Sequence, residues 1–125
     1  MGYERIGLEA LRDKVMTAQE AAALINNGMI VGSSGFTRGG DTKVVLKAFA
    51  QRAKNEDLKI TLVTGASLGH DTDAELAESG ALKKRLPFQV DTVLRKNINT
   101  GNVLFIDQHL GETAEHILNG EFKID

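Results

Sequence analysis

Apolar and polar residues follow one another along the chain in two kinds of block, one typical of helices and the other of strands. Between Ala18 and Ile25 the apolar residues recur every three or four positions, which is the spacing of one helix face. Thr17 is followed three residues later by Glu20, a capping-box pattern, and Asn27-Gly28 supplies a stop. Further helices are predicted over 42–54, 71–79, 90–98 and 112–118, with a weak one over 3–14.

Short apolar runs between these helices predict buried strands. Runs without polar alternation are typical of parallel strands covered on both faces, and a strand-loop-helix-strand order predicts right-handed βαβ units. Pro87 cannot donate to a central ladder, so residues 85–90 form either a strand or an extended segment. The predicted strands are Met29–Val31, Lys59–Val63 and Val103–Ile106, with another beginning at Phe122–Ile124.

These elements predict a single α/β domain over residues 1–125, with a mainly parallel sheet and flanking helices. The chain shows no internal repeat, low-complexity tract or linker that would divide it. A parallel sheet of three or four strands leaves its edges open. We therefore expect the amino-terminal portion of a larger protein, or an obligate oligomer.

Composition and charge exclude several classes of function. The chain is 42% hydrophobic and 26% charged, with a formal net charge of -2 and no cysteine. A nucleic-acid partner would require a clustered positive excess, and a membrane span about 20 consecutive apolar residues; the sequence has neither. The first residues carry charges throughout and do not form a secretory signal. We expect a cytoplasmic protein, or an organelle matrix protein that lacks its targeting segment.

Two glycine-containing loops follow neighbouring predicted strands and are the candidate binding elements. The first covers residues 32–40 and the second Thr64–Gly69. Ligands of open α/β sheets collect beyond the carboxyl ends of the strands, where these loops would pool the hydroxyls of Ser34, Thr37, Thr64 and Ser67. The alternative is that the glycines are ordinary turns. Neither the Walker A pattern nor the G-x-G-x-x-G fingerprint is present, so the first loop is not a Walker A loop and NAD binding is not expected.

Other polar residues give weaker signals. His70, His109 and His116 have no spacing suited to a metal, so no metal site is expected. A Ser-His-Asp hydrolase would require G-x-S-x-G, which the first glycine loop misses by one position. The basic cluster Lys83–Arg85 is predicted to be a solvated surface patch.

Several motifs in a fixed order resemble the acetyl-CoA hydrolase/CoA-transferase family, which includes the succinyl-CoA:acetate CoA-transferases. The likeness extends over nearly the whole chain. The matching segments are Asn27-Gly28, Ser34-Gly35-Phe36-Thr37, Gly40-Asp41-Thr42-Lys43, Thr64-Gly65-Ala66-Ser67-Leu68-Gly69, Arg85-Leu86-Pro87-Phe88, Leu94-Arg95, Ile98-Asn99, Gly101 and Asp107-Gln108-His109-Leu110.

This resemblance implies an enzyme that moves coenzyme A between carboxylic acids, or from an acyl-CoA to water. Family enzymes have two similar α/β halves with the active site between them. Their catalytic glutamate, which becomes an acyl-glutamyl anhydride and then a glutamyl-CoA thioester, lies in the carboxyl-terminal half together with most coenzyme A contacts. No glutamate of this chain lies in a matching motif, so no catalytic residue is assigned here, and the chain alone is expected to be inactive.

The resemblance also implies which residues bind substrate. Phe36 would form an apolar wall against the acyl chain. The expected substrate-binding residues are Ser34, Gly35, Phe36, Thr37, Gly65 and Ser67. Coenzyme A or acyl-CoA is expected as a substrate, with no covalently bound cofactor. The expected partners are a small carboxylate, such as acetate or succinate, and the carboxyl-terminal half or a second subunit, in a homo-oligomer.

The sequence departs from the family pattern at two positions. Thr42 replaces the usual proline after Gly40-Asp41, so the fixed φ of proline is lost. Val90 stands where relatives often carry a hydroxyl residue near the substrate, which bears on the choice of acid. The rival interpretation is a stand-alone anion-binding or subunit-type interaction domain that uses the same loops without catalysis.

Overall fold

Helices and strands alternate along the chain and form one parallel sheet. The computed structural model describes residues 3–37 and 39–125, with His70 described by its backbone only. The strands are β1 (Ile30–Ser33), β2 (Ile60–Thr64), β3 (Leu82–Leu86) and β4 (Leu104–Phe105). The helices are α1 (Ala18–Ala23), α2 (Lys43–Ala53), α3 (His70–Glu78), α4 (Thr92–Asn99) and α5 (Thr113–Leu118). The predicted α/β class is confirmed.

The strands lie in the order β1-β2-β3-β4, and all neighbours are parallel. Each strand lies beside the one before it, always in the same direction across the sheet. Right-handed crossovers then place α2, α3 and α4 on the same face of the sheet. Accordingly α1 packs on α2, α2 on α3 and α3 on α4. The core lies between this row and the sheet, and its fully or nearly fully buried side chains include Leu46, Phe49, Ile60, Leu62, Leu76, Leu82 and Leu94.

The opposite face of the sheet is covered only in part. At β1, a Cβ on Gly32 would lie 3.0 Å from Cδ1 of Ile124, so the C-terminal segment packs there. At β4, Leu104 and Phe105 are 54% and 60% exposed. The coverage of both faces that the apolar runs predict is therefore partial at β1, where Gly32 stays exposed, and absent at β4, where Leu104 and Phe105 point to opposite faces.

The first predicted helix and its cap illustrate why local signals succeed. The side-chain oxygen of Thr17 accepts the backbone N–H of Glu20, and the Glu20 carboxylate accepts the N–H of Thr17, which completes the capping box. Residues 3–14, by contrast, form two 3₁₀ segments, Tyr3–Arg5 and Glu9–Lys14, and not an α-helix. Neither segment contains a buried residue, so no packing face stabilises a longer helix.

Two strand predictions were also wrong in detail. The third strand begins at Leu82 and not at residue 85, because the chain enters the sheet directly after the α3 turn at Gly80. Residues Phe122–Ile124 do not form a strand, since Lys123 has a φ of +50°, outside the extended region. The N–H of Asp125 nevertheless donates to the carbonyl of Ile30 at 2.9 Å, along the free edge of β1.

Candidate functional site

The two glycine loops are hydrogen-bonded to each other at the carboxyl ends of β1 and β2. The N–H of Thr37 donates to the carbonyl of Ser67 at 2.7 Å, and the N–H of Ala66 donates to the carbonyl of Gly35 at 3.1 Å. The expectation that these loops lie beside each other at one edge of the sheet is therefore confirmed. Arg38, in the first loop, lies outside the described residues.

Close backbone approach between the loops depends on two glycines. Gly35 has a φ of +143°, and a Cβ there would lie 2.2 Å from Cδ2 of the buried Leu68. A Cβ on Gly65 would lie 3.2 Å from the carbonyl oxygen of Gly35. Larger residues at either position would push the loops apart, so the glycines here do more than terminate strands.

A cavity of about 460 Å³ opens beside the joined loops. Strand ends and loop residues form one wall, and a C-terminal segment that includes α5 forms the other. Among the described residues, the lining carries hydroxyl and apolar groups and no charged side chain: Gly32, Ser33, Ser34, Val63, Thr64, Gly65, Leu110, Thr113, Ala114 and Ile117. Such a space suits a small carboxylate or a thioester oxygen, which hydroxyl and N–H donors can hold.

The residue that precedes α2 contacts the cavity wall. Thr42 precedes the helix and makes no side-chain cap, but its hydroxyl lies 2.7 Å from that of Ser33 in the cavity wall. The amide groups of the first turn of α2 carry the positive end of the helix dipole. This charge favours an anion in the same region.

Only two of the six predicted substrate-binding residues are among those that line the cavity; the described lining does not include Gly35, Phe36, Thr37 or Ser67. Ser34 and Gly65 line the cavity, and the Ser34 hydroxyl donates to the carbonyl of Gly40 at 2.7 Å. Thr37 has a φ of +55°. Phe36 is 62% exposed, so a ligand or a covering chain would reach the phenyl ring of Phe36 from solvent.

Ser67 is buried beneath the loop. Its hydroxyl donates to the carbonyl of Leu68 and accepts the N–H of Val90, both at 3.3 Å. Val90, singled out in the sequence as a departure from the family pattern, thus contacts Ser67 directly. A third loop, which follows β3, is in this way attached to the other two.

Arg85 is the residue that the sequence interpretation placed wrongly. It is fully buried in β3 and does not belong to a solvated patch with Lys83. Its guanidinium contacts the buried carboxylate of Asp73, with Nη2–Oδ1 at 3.1 Å. Burial raises the pKa of the Asp73 carboxyl above its ordinary value, and the Arg85 guanidinium opposes that rise. Burial also lowers the pKa of the Arg85 guanidinium.

No local signal in the sequence indicates this pair, because Asp73 and Arg85 lie in different elements. Alternation along β3 places Arg85 on the same face as the exposed Lys83. Thr113, which walls the cavity from α5, also had no local signal, because its position depends on tertiary packing alone.

The histidines take no part in the cavity lining among the described residues. His109 accepts the N–H of Gly111 through Nδ1, and His116 pairs with Glu121. The side chain of His70 lies outside the described part of the chain.

Residues 7–125 match the sequence profile described as the acetyl-CoA hydrolase/transferase N-terminal domain. The chain belongs to the acetyl-CoA hydrolase/transferase family. The resemblance inferred from the glycine loops and the segments after them is therefore confirmed.

Similar proteins include both CoA-transferases and acetyl-CoA hydrolases. The chain is 44% identical over 116 residues to the succinyl-CoA:acetate CoA-transferase of Clostridium kluyveri, covering 91% of this chain and 22% of that protein. It is 40% identical over 112 residues to the propanoyl-CoA:succinate CoA transferase of Escherichia coli, covering 86% and 23%. It is 32% identical over 121 residues to the acetyl-CoA hydrolase of Saccharomyces cerevisiae, covering 94% and 23%.

The chain therefore spans less than a quarter of the length of these relatives. Across residues 3–37 and 39–125, no helix has both the length and the apolar character needed to cross a membrane.

Proposed function

We propose that this chain is the amino-terminal part of an enzyme that transfers coenzyme A between a short acyl-CoA and a small carboxylate, such as acetate or succinate, or hydrolyses acetyl-CoA. One observation supports this assignment more than any other. The two family loops are hydrogen-bonded to each other beside a cavity of about 460 Å³ whose described lining residues carry no charged side chain. Three similar proteins are named for reactions of CoA thioesters.

In this proposal the chain binds and orients substrate and does not supply the nucleophile. Hydroxyls of the cavity wall and backbone N–H groups near the start of α2 would hold the carboxylate end of the substrate. Ser34–Thr37, Gly65 and Ser67 are assigned to that end. The described residues that line the cavity include no glutamate, so in this proposal the catalytic glutamate would come from the carboxyl-terminal half or a second subunit.

We further propose that acyl-CoA enters as substrate and that no cofactor is covalently bound. The complete protein would act in the cytoplasm as a homo-oligomer. Residues 1–125 would form one α/β domain of that assembly.

The test is a coupled assay of the complete protein with acetyl-CoA and succinate, run beside the isolated 125-residue chain. We expect CoA transfer or acetyl-CoA hydrolysis by the complete protein and no turnover by the chain alone, because the covalent intermediate needs a carboxylate nucleophile. Ser34→Ala should raise the KM for the carboxylate about fivefold, because it removes the hydrogen bond by which the Ser34 hydroxyl, in the cavity wall, holds the first loop to the carbonyl of Gly40.

Ser79→Ala is the matched control, since the Ser79 hydroxyl donates to the carbonyl of Leu76 at the end of α3. It should leave both KM values unchanged. Absence of both reactions in the complete protein would overturn the proposal. So would turnover by the isolated chain that disappears when one of its own residues is replaced.

A further inference from the structure

Arg85 and Asp73 form an ion pair in which both side chains have no solvent exposure. Neither residue is among those that line the cavity. Arg85 extends from β3, and Asp73 lies in the first turn of α3. Guanidinium Nε and Nη2 contact the same carboxylate oxygen, Oδ1, at 3.2 and 3.1 Å. Withdrawing two charges from water is costly, so such a pair contributes little net stability unless further hydrogen bonds complete it.

Apart from a contact of Arg85 Nη1 with the carbonyl of Leu62 at 3.5 Å, within β2, those further hydrogen bonds lead to the second glycine loop or to the strand ends beside it. The other carboxylate oxygen of Asp73 accepts the N–H of Leu68 at 2.9 Å. Nη1 of Arg85 donates to the hydroxyl of Thr64 at 2.8 Å and also to the carbonyl of Leu86. This one ion pair thus holds the second glycine loop at two residues, Thr64 and Leu68.

The residues between these two anchors are the ones that meet the first loop. Ala66 donates to the carbonyl of Gly35, and the carbonyl of Ser67 accepts from Thr37. Gly65 lines the cavity. A shift of either anchor would therefore alter the cavity wall and the contact between the two loops together.

We propose that Arg85 and Asp73 are positioning residues that fix the Thr64–Leu68 segment in the shape that binds the substrate carboxylate. This inference rests on the proposed function. Neither side chain is exposed, so neither touches the substrate; both act through Thr64 and Leu68.

The experiment compares Asp73→Asn and Arg85→Lys with the parent in the complete protein. Asp73→Asn keeps the shape and removes the charge, whereas Arg85→Lys keeps the charge and removes the planar fork that contacts both Asp73 and Thr64. We expect each variant to raise the KM for the carboxylate about tenfold. The KM for acyl-CoA should change less than threefold.

A purely structural role predicts a different result. Partial unfolding reduces the number of active sites, which lowers the apparent kcat and leaves both KM values unchanged. The matched control is Glu75→Gln, because Glu75 lies on the same helix as Asp73 and pairs with Lys47 at 3.2 Å on the surface. We expect no change in either KM for this variant.

A second measurement serves if Asp73→Asn does not fold or if the parent shows no turnover. Hydrogen–deuterium exchange of the peptide covering 64–69 should be about tenfold faster in Arg85→Lys than in the parent or in Glu75→Gln. An inactive parent would refute the proposed function, while faster loop exchange would still support the positioning role. Unchanged loop exchange, or an unchanged carboxylate KM in a folded and active variant, would overturn the inference.

Discussion

Replacing Gly35 by alanine tests whether the contact between the loops depends on the absence of a side chain. The φ of +143° lies in a region that other residues adopt at a cost of about 1–3 kcal/mol. The new Cβ would also lie 2.2 Å from Cδ2 of Leu68, a side chain that is only 2% exposed. Forcing an extra carbon into a packed core costs about 1–3 kcal/mol more.

The two contributions together predict a loss of about 2–6 kcal/mol from the free energy of unfolding, a large part of the total for a domain of this size. The measurement is urea unfolding of the 125-residue chain followed by far-ultraviolet circular dichroism. Gly35→Val should destabilise at least as much, because its two methyl groups extend further into the same space.

Two neighbouring glycines separate the backbone contribution from the steric one. Gly40 has a φ of +68° with no atom within 4 Å of a Cβ, so Gly40→Ala should cost only the backbone strain, about 1–2 kcal/mol. Gly39 has no positive φ, and its Cβ would meet only the carbonyl oxygen of Phe36 at 3.5 Å, so Gly39→Ala should change stability by less than about 0.5 kcal/mol. A loss for Gly35→Ala no larger than that for Gly40→Ala would refute the steric argument.

Further predictions concern the cap, the core and the sheet edge. Thr17→Ala should lower the free energy of unfolding by about 1 kcal/mol in urea titrations, because it removes the capping box. The backbone N–H of Thr17, followed by its hydroxyl, holds the pKa of the Glu20 carboxyl below 4.5. The stabilisation from this carboxylate should therefore be present above pH 4.5 and be lost as the pH falls through the lowered pKa. Glu20→Gln should lack this pH dependence in acid titrations. Phe49→Ala should cost about 3–5 kcal/mol in the same assay, because the ring is fully buried. The exposed β4 edge should make the chain self-associate in light scattering, and Phe105→Glu should reduce the association; a monomer at all concentrations would contradict this.

Local signals predicted most of the fold correctly, because they depend on residues close in sequence. The capping box at Thr17 and Glu20 and the βαβ order around the two glycine loops are of this kind. The adjacency of the loops also followed from sequence, since carboxyl ends of parallel neighbours lie at one edge of a sheet.

What the sequence could not predict depends on distant contacts. Arg85 was assigned to the surface because its neighbours Lys83 and Lys84 are basic, while the burial of its guanidinium depends on Asp73 in another element. The cavity wall at Thr113 requires α5 to fold back over β1 and β2, and no local pattern specifies that path. The substrate-binding roles of the loop residues remain predictions.

The hydrogen bonds between Ile30 and Asp125 also bear on the order in which the molecule folds. They join residues 95 positions apart, whereas Val31 and Leu62 pair across a single βαβ unit. Closing the longer loop costs about 1 kcal/mol more in chain entropy than closing the shorter one. The contact between Ile30 and Asp125 should therefore form after the four strands have paired and open before they separate. In native-state hydrogen exchange the amide of Ile30 should exchange through this local opening, and that of Leu62 only through global unfolding.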